Sequence, residues 1–450
     1  MKSTRSSGEC SQTLIFVFQS CFAQGFNYGR KGDVIIDDDS PHYPCSNRWK
    51  INEMRRRIHA AMDFIAVSPY NTSLDLQDIV IYDSTLRDGE QMPGVAFSTQ
   101  QKIAIARLLD DAKVHQIEAG FPAVSKDELK TIKEITSLGL SADILALSRI
   151  TRPDIDAAVE SGVDVVLLFI ATSDIHLKYK LRKTREEILE KSIQALDYCK
   201  ERGIKASISS EDSTRTDINF LLRFYKCAEE AGAIRLGITD TVGCASPEAI
   251  SILVKTVASE IRTPLSIHLH NDFGFALINA ITAVRNGAKA VTTTVNGIGE
   301  RAGNVPLEQF VASMKFLYSK DLGVDCTKLK ALSDLVSDYS KCPLSRNQPL
   351  VGENAFAHES GIHVAAVLSC PITYECIPPD SVGNQRHLRM GKHTGVTYVR
   401  KRVEDLGIEA TEEQLCQILL RVKRLGEKQG RVSDGEFDAL VHEVMRPEPE

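Results

Sequence analysis

Eight short runs rich in β-branched residues recur along the chain, and their rhythm limits the fold more than any other feature. DIVIYD starts at residue 78, VHQIEAG at 114, ADILALS at 142 and VDVVLLFI at 163. IKASISS follows at 204, AIRLGITD at 233, LSIHLH at 265 and AKAVTTTV at 288. Such runs read as strands. Amphipathic stretches lie between most of them, among them STQQKIAIARLLDDA (98–112) and REEILEKSIQALDYCKERG (185–203). Several end in Gly shortly before the next run, a helix-stop signal. Strands joined through helices pair in parallel, because a parallel pair needs a crossover of a dozen or more residues. Eight units over about 220 residues match a closed (β/α)8 TIM barrel in count and size. A doubly wound open sheet is the alternative.

A TIM barrel carries its active site at the C-terminal ends of its strands, and polar residues collect there. Arg87, Asp88 and Glu90 follow the first run, Glu118 ends the second and Arg149 the third. Thr172 and Ser173 follow the fourth, and the fifth runs into Glu211 and Asp212. The sixth ends at Asp240 and Thr241, and the seventh at His268 and His270. The eighth leads to Asn296, Glu300, Arg301 and Asn304.

The barrel accounts for residues 76–320. Beyond it, 321–450 pattern as a mainly helical C-terminal subdomain, with TEEQLCQILLRVKRLGEKQG (411–430) as a clear amphipathic helix and loops around 343–356 and 370–385. Residues 1–75 differ: Ser, Asn, Asp and Arg clusters surround one apolar patch, TLIFVF (13–18). They fit a disordered extension, or a chain whose true start is Met54 or Met62. A secretory signal needs an apolar region of roughly 7–15 residues; TLIFVF is shorter, and Gln19 interrupts it. A net charge of −6 points away from nucleic acid and acidic membranes as partners, and no apolar run approaches the ~20 residues of a membrane helix. The eleven cysteines are odd in number and include no CxxC pair. That usage suits reduced thiols in a cytoplasmic enzyme.

Four stretches carry candidate chemistry. In SIHLHNDFGF (266–275), His268 and His270 stand at i and i+2, so in a strand both imidazoles face one side. A divalent metal accepts imidazole nitrogen with carboxylate and amide oxygen; hydrogen bonding to neighbouring loops is the plainer reading. DSTLRDGEQMPG (83–94) is a solvated loop or, after the first barrel strand, a wall of the site. There Asp88 offers a hard oxygen ligand, and the Arg87 guanidinium can fork onto an enolate or carboxylate. NGIGERAGN (296–304) has three glycines in nine residues, the mark of backbone that must approach something closely; Asn304 brings an amide oxygen. ENAFAHESGIHVAAV (353–367) holds an acid/base cluster of His358, Glu359 and His363, which a surface helix can also carry without function.

TLRDGEQ (85–91), IEAGFP (117–122), LHNDFG (269–274), NGIGERAGN and AHESGIH (357–363) together resemble the DRE-TIM metallolyases that condense acetyl-CoA with a 2-oxo acid: the homocitrate, 2-isopropylmalate and citramalate synthases. The likeness covers roughly residues 78–400. It implies a divalent metal (Mg, Mn or Zn) on Asp88, His268, His270 and Asn304. It also implies oxyanion stabilisation by Arg87, a base in His363 helped by Glu211, a tyrosine in Tyr374, and a substrate-carboxylate contact at Thr241. The family resemblance further implies a homodimer in which His363 and Tyr374 come from the partner.

The choice of 2-oxo acid is less constrained. Leucine-pathway synthases usually carry a C-terminal regulatory domain, and this chain ends at RPEPE (446–450) instead. IEAGFPAVS, ADILALSR and IATSDIHLKYK look most like short archaeal and nitrogen-fixation homocitrate synthases, which implies 2-oxoglutarate. The extra carboxylate of that substrate needs a partner, for which Arg149, Lys178 and Lys180 are candidates. Two positions depart from relatives: Ser207 stands where lysine-pathway homocitrate synthases have arginine, and Ala365 where an Asp is common. 2-Isopropylmalate and citramalate synthesis therefore stay open, and acyl-CoA lyases share the same barrel and metal set.

Overall fold

A computed structural model describes residues 65–74 and 78–446. The expected extension over 1–75, with TLIFVF, Met54 and Met62, lies outside the described residues except for 65–74. Eight parallel strands form a closed barrel in sequential order. They are β1 (Val80–Asp83), β2 (Gln116–Gly120), β3 (Asp143–Arg149), β4 (Val165–Ala171), β5 (Lys205–Glu211), β6 (Leu236–Asp240), β7 (Leu265–Leu269) and β8 (Ala288–Thr293). Pairing of Val80 with Ala290 through Asp83 with Thr293 closes the ring. All eight apolar runs are strands, and the open-sheet alternative falls with the β1–β8 seam.

Helices follow the strands: α1 (Thr99–Asp111), α2 (Lys126–Thr136), α3 (Arg152–Glu160), α4 (Arg185–Glu201), α5 (Ile218–Glu230), α6 (Pro247–Glu260), α7 (Ala276–Arg285) and α8 (Leu307–Ala312). Their ends are written locally. Ser98 and Gln101 form a reciprocal capping box on α1, and Thr184 and Glu187 do so on α4. The strands are buried on both faces, as a barrel inside a helical ring requires.

After the barrel come α9 (Leu329–Ser340), α10 (Gly361–Ser369), α11 (Val396–Asp405), α12 (Glu412–Gln429) and α13 (Asp434–Met445). The last four gather a small core of their own around Val364, Val399, Ile418, Val422 and Phe437. Two-residue strands β9 (Ala357–His358) and β10 (His387–Leu388) pair in parallel beside it. A helix carries only the second half of the AHESGIH run. His358 lies in β9, and the helix begins at Gly361, whose Cα packs against Gly395 with no room for a Cβ. The eight cysteines among the described residues are free thiols. No helix among those residues is long and apolar enough to cross a membrane.

One buried acid pair supports the catalytic end of the barrel. Asp83 ends β1 and holds the backbone N–H of Thr85, while Glu308 in the first turn of α8 accepts from the N–H of Asn296. Burial pushes each carboxyl up to about 7, against weaker opposition from those hydrogen bonds. A carboxyl raised in this way adds stability below its unfolded value and loses it as pH rises through about 7. Glu308→Gln keeps an acceptor for Asn296. Its Tm should exceed that of the parent protein at pH 8, and the gap should shrink as pH falls toward 5. Scanning calorimetry at the two pH values checks this.

Candidate active site

The C-terminal end of β7 and the two loops beside the barrel seam build one cluster. His268 lies within β7 and His270 just beyond it, so the strand period turns both rings the same way. Their Nε2 atoms stand 3.2 Å apart, with the rings at 79°. Asp88, from the loop after β1, brings Oδ2 to 3.6 Å from the Nε2 of His268. The three ligand atoms lie within 4.8 Å of one another. Asn304 joins them from the loop after β8: its Nδ2 donates to Asp88 Oδ1 at 2.7 Å, and its Oδ1 is buried with no partner.

Backbone contacts hold that loop to β7. His270 and Asn304 face each other across an antiparallel bridge, and the N–H of Asn271 donates to the Gly303 carbonyl at 2.9 Å. The glycines are there for space. A Cβ on Gly299 would stand 2.0 Å from Asn304 Nδ2 and 2.7 Å from Asp88 Oδ1; one on Gly303 would stand 1.9 Å from the Gly297 carbonyl oxygen. Arg301 takes a left-handed φ of 55° in the same loop, an uncommon conformation for a long side chain. Its guanidinium forks onto Asp272 and reaches the Thr241 carbonyl at 2.7 Å.

Electrostatics make the cluster a set of acceptors. Burial drives the His268 imidazole down to about 3, and it lowers His270 as well, so both rings are neutral at neutral pH. Burial works against ionisation of Asp88, but Arg87 beside it and then the two imidazoles outweigh burial and hold its carboxyl well below the usual range. Two neutral imidazole nitrogens, a carboxylate and an unpartnered amide oxygen therefore converge. One ring can donate to the other, yet that leaves the Asn304 oxygen unmet. The donor set suits a divalent cation of borderline hardness.

Arg87 is held with unusual rigidity. Its Nε and Nη2 fork onto Glu118 at 2.8 and 3.0 Å, and its Nη1 reaches Asp88 Oδ2 at 2.5 Å. Ser84 also donates to Glu118. Glu118 is fully buried. Its position at the end of β2 was visible in the sequence, but its partner was not. A second buried strut lies behind. Lys102 of α1 bridges Glu90 and Glu128 at 2.6 and 2.7 Å, tying the loop after β1 to the first turn of α2. Its signal was legible: Lys102, Ile105, Ala106 and Leu109 fall on one helical stripe, and a lysine there must be paired.

A cavity of about 390 Å³ opens beside the cluster. Its lining includes Arg87, Asp88, His268 and His270 on one side, Lys180 and Glu211 on the other, with Thr239 and Thr241 between them. Leu147, Leu167, Phe121 and Phe169 make an apolar wall, the two phenylalanines packing edge to face. Glu211 ends β5 and receives Lys180 on both oxygens at 2.6 and 2.7 Å. The Thr241 hydroxyl accepts from the N–H of Asp212, which takes a left-handed φ of 65°.

Arg149, His363, Tyr374 and Lys178 do not line this cavity. Arg149 forks onto Asp154 at 2.6 and 3.0 Å, five residues ahead in the first turn of α3, and its guanidinium covers the ring of Phe121 from the far side. An acidic residue at a helix start favours that pairing. His363 and Tyr374 do meet, with ring centroids 4.1 Å apart, but on the exposed face of the C-terminal part and not on the cavity wall. Lys178 also points elsewhere, over the Tyr179 ring.

A closed parallel barrel with a cluster of candidate cation ligands at the C-terminal ends of its strands defines a class of barrel enzymes. The HMGL-like family model matches residues 78–336, and a homocitrate synthase post-HMGL domain-like model matches residues 350–430. The chain belongs to the HMGL-like family. It is 48% identical over 393 residues to homocitrate synthase AksA of Methanocaldococcus jannaschii, covering 86% of this chain and 97% of that one. A 2-isopropylmalate synthase of the same organism is 46% identical over 378 residues, covering 83% of this chain and 73% of that one. Among solved structures, an HMG-CoA lyase of Bacillus subtilis superposes with a TM-score of 0.56 at 21% identity, over 61% of this chain and 98% of that one. That likeness concerns the barrel fold alone.

Proposed function

We propose that the protein condenses acetyl-CoA with a 2-oxo acid and hydrolyses the product thioester to free CoA, and that the acid is 2-oxoglutarate, giving homocitrate. The convergence of Asp88, His268 and His270 beside Asn304 carries the reaction class. The likeness to homocitrate synthase AksA over nearly its whole length supports the substrate. A divalent cation (Mg, Mn or Zn) on those four residues supplies Lewis-acid polarisation of the keto carbonyl. Arg87, fixed by Glu118, presents its guanidinium to negative charge that develops on oxygen. The Thr241 hydroxyl lies at the cavity edge for the 1-carboxylate. Glu211 and His363 form the base that removes a methyl proton from acetyl-CoA, with Tyr374 beside them.

His363 and Tyr374 are exposed and stacked away from the cavity of their own chain. We place them at the cavity of a second copy in a homodimer. Free thiols are consistent with a cytoplasmic enzyme.

The apolar wall of Leu147, Leu167, Phe121 and Phe169 favours a second reading, an aliphatic 2-oxo acid as in 2-isopropylmalate or citramalate synthesis. Release of free CoA thiol from acetyl-CoA with 2-oxoglutarate, 2-oxoisovalerate and pyruvate in turn decides among them. The highest kcat/KM is expected with 2-oxoglutarate. A higher value with 2-oxoisovalerate would transfer the assignment, and cleavage of a hydroxyacyl-CoA without any condensation would make the protein a lyase.

A further inference from the structure

The apolar wall poses a problem for a dicarboxylic substrate, because a second carboxylate entering the cavity must find a cation. Among the described residues, three cationic side chains line the cavity: Arg87, Arg301 and Lys180. Two are committed. Arg87 has its donors on Glu118 and Asp88, both buried, and Arg301 has its fork on Asp272 and a further donor on the Thr241 carbonyl.

Lys180 is placed differently. It touches one carboxylate, Glu211, and its side chain is 49% exposed. It stands on a single π-helical turn, Leu177–Leu181, that ends at Arg182 with a left-handed φ of 53°. Of that turn only Leu177 is buried. Single π turns are frequent at functional sites. His176, just before the turn, sets its Nδ1 at 3.3 Å from the same Glu211 oxygen, so Glu211 keeps a neighbour if Lys180 leaves. A flexible lysine stem can change partners, whereas a forked arginine cannot do so cheaply.

We propose that Lys180 is the receptor for the distal carboxylate of a dicarboxylic 2-oxo acid, and that this carboxylate draws the Lys180 ammonium away from Glu211. The inference rests on the 2-oxoglutarate reading above. The methylenes of the substrate lie along the apolar wall, and its far end meets the ammonium at the mouth. The exchange also ties specificity to chemistry, since Glu211 gives up its ammonium only when a substrate with a second carboxylate is bound. The position held by Ser207, deep in β5 with its hydroxyl buried and unpartnered, needs no cation in this arrangement.

Lys180→Met and Lys180→Arg, both at a half-exposed position, test this. Steady-state kinetics are read with 2-oxoglutarate and with pyruvate, the latter as substrate or as competitive inhibitor. In Lys180→Met the preference for 2-oxoglutarate over pyruvate should fall roughly ten- to hundredfold, mainly through KM for 2-oxoglutarate. Lys180→Arg should regain most of it. A preference unchanged in Lys180→Met would overturn the proposal. So would an equal fall in kcat for both acids, which would leave Lys180 only a support for Glu211. A parent protein that condenses other 2-oxo acids but not 2-oxoglutarate would remove the reading beneath the proposal. That result is visible before any variant is made.

Discussion

His268→Ala and His270→Ala should each lose thiol release with every 2-oxo acid, by on the order of a thousandfold. Bound divalent metal, counted by elemental analysis, should fall with it. The expectation follows from how the cluster is made. Both rings are largely buried and neutral, and their nitrogens face each other at 3.2 Å. Removing one ring deletes a ligand without stranding a buried charge, so circular dichroism and Tm should change little. Gly299→Ala asks the same question without removing a ligand. Its new methyl has nowhere to go but against Asn304 and Asp88, so metal affinity should drop while all four donors are still present. A His268→Ala protein with full metal content and full turnover would reduce the pair to two histidines near a turn.

Arg87→Met should lower kcat on the order of a hundredfold, the usual cost of one preorganised donor at a developing oxyanion. The difficulty is that Glu118 would then be a buried carboxylate without its partner, a loss worth about 3–5 kcal/mol of stability. A pair of variants separates the two effects. Arg87→Met combined with Glu118→Gln removes the stranded charge, so stability should recover while kcat stays low. Glu118→Gln alone keeps the guanidinium but loosens its aim, and should cost less in kcat than Arg87→Met. Arg87→Lys keeps a charge without the fork and should regain only part of the rate. If the double variant recovered kcat together with Tm, Arg87 would be a structural ion pair and nothing more.

The barrel was legible because its signals are local. A β-branched run, a capping box and a closing glycine each need only a dozen residues of context, and every one of the eight runs became a strand. The histidine pair was legible from its spacing, whereas Asp88 and Asn304 joined it only through the family resemblance. Partnerships across the fold were not. Nothing near Glu118 in sequence announces Arg87, and nothing near Lys102 announces both Glu90 and Glu128. Arg149 is the converse case: its partner Asp154 lies five residues on, at the start of α3, within local reach. His363 and Tyr374 carry the right side chains, yet local pattern says nothing of which copy of the chain they serve. The β9–β10 pair is too short to leave a periodic trace.

The seam between β1 and β8 gives the cluster a property of assembly. Asp88 sits at the start of the ring, and the other three residues sit near its end. A nascent barrel that has laid down seven strands owns both imidazoles but lacks Asn304, and an N-terminal half owns a single carboxylate. The full set of donors exists only once the first and last strands have met. The four donors therefore come together only on ring closure. The Asn304–Asp88 hydrogen bond spans the joint where an unfinished barrel would gape.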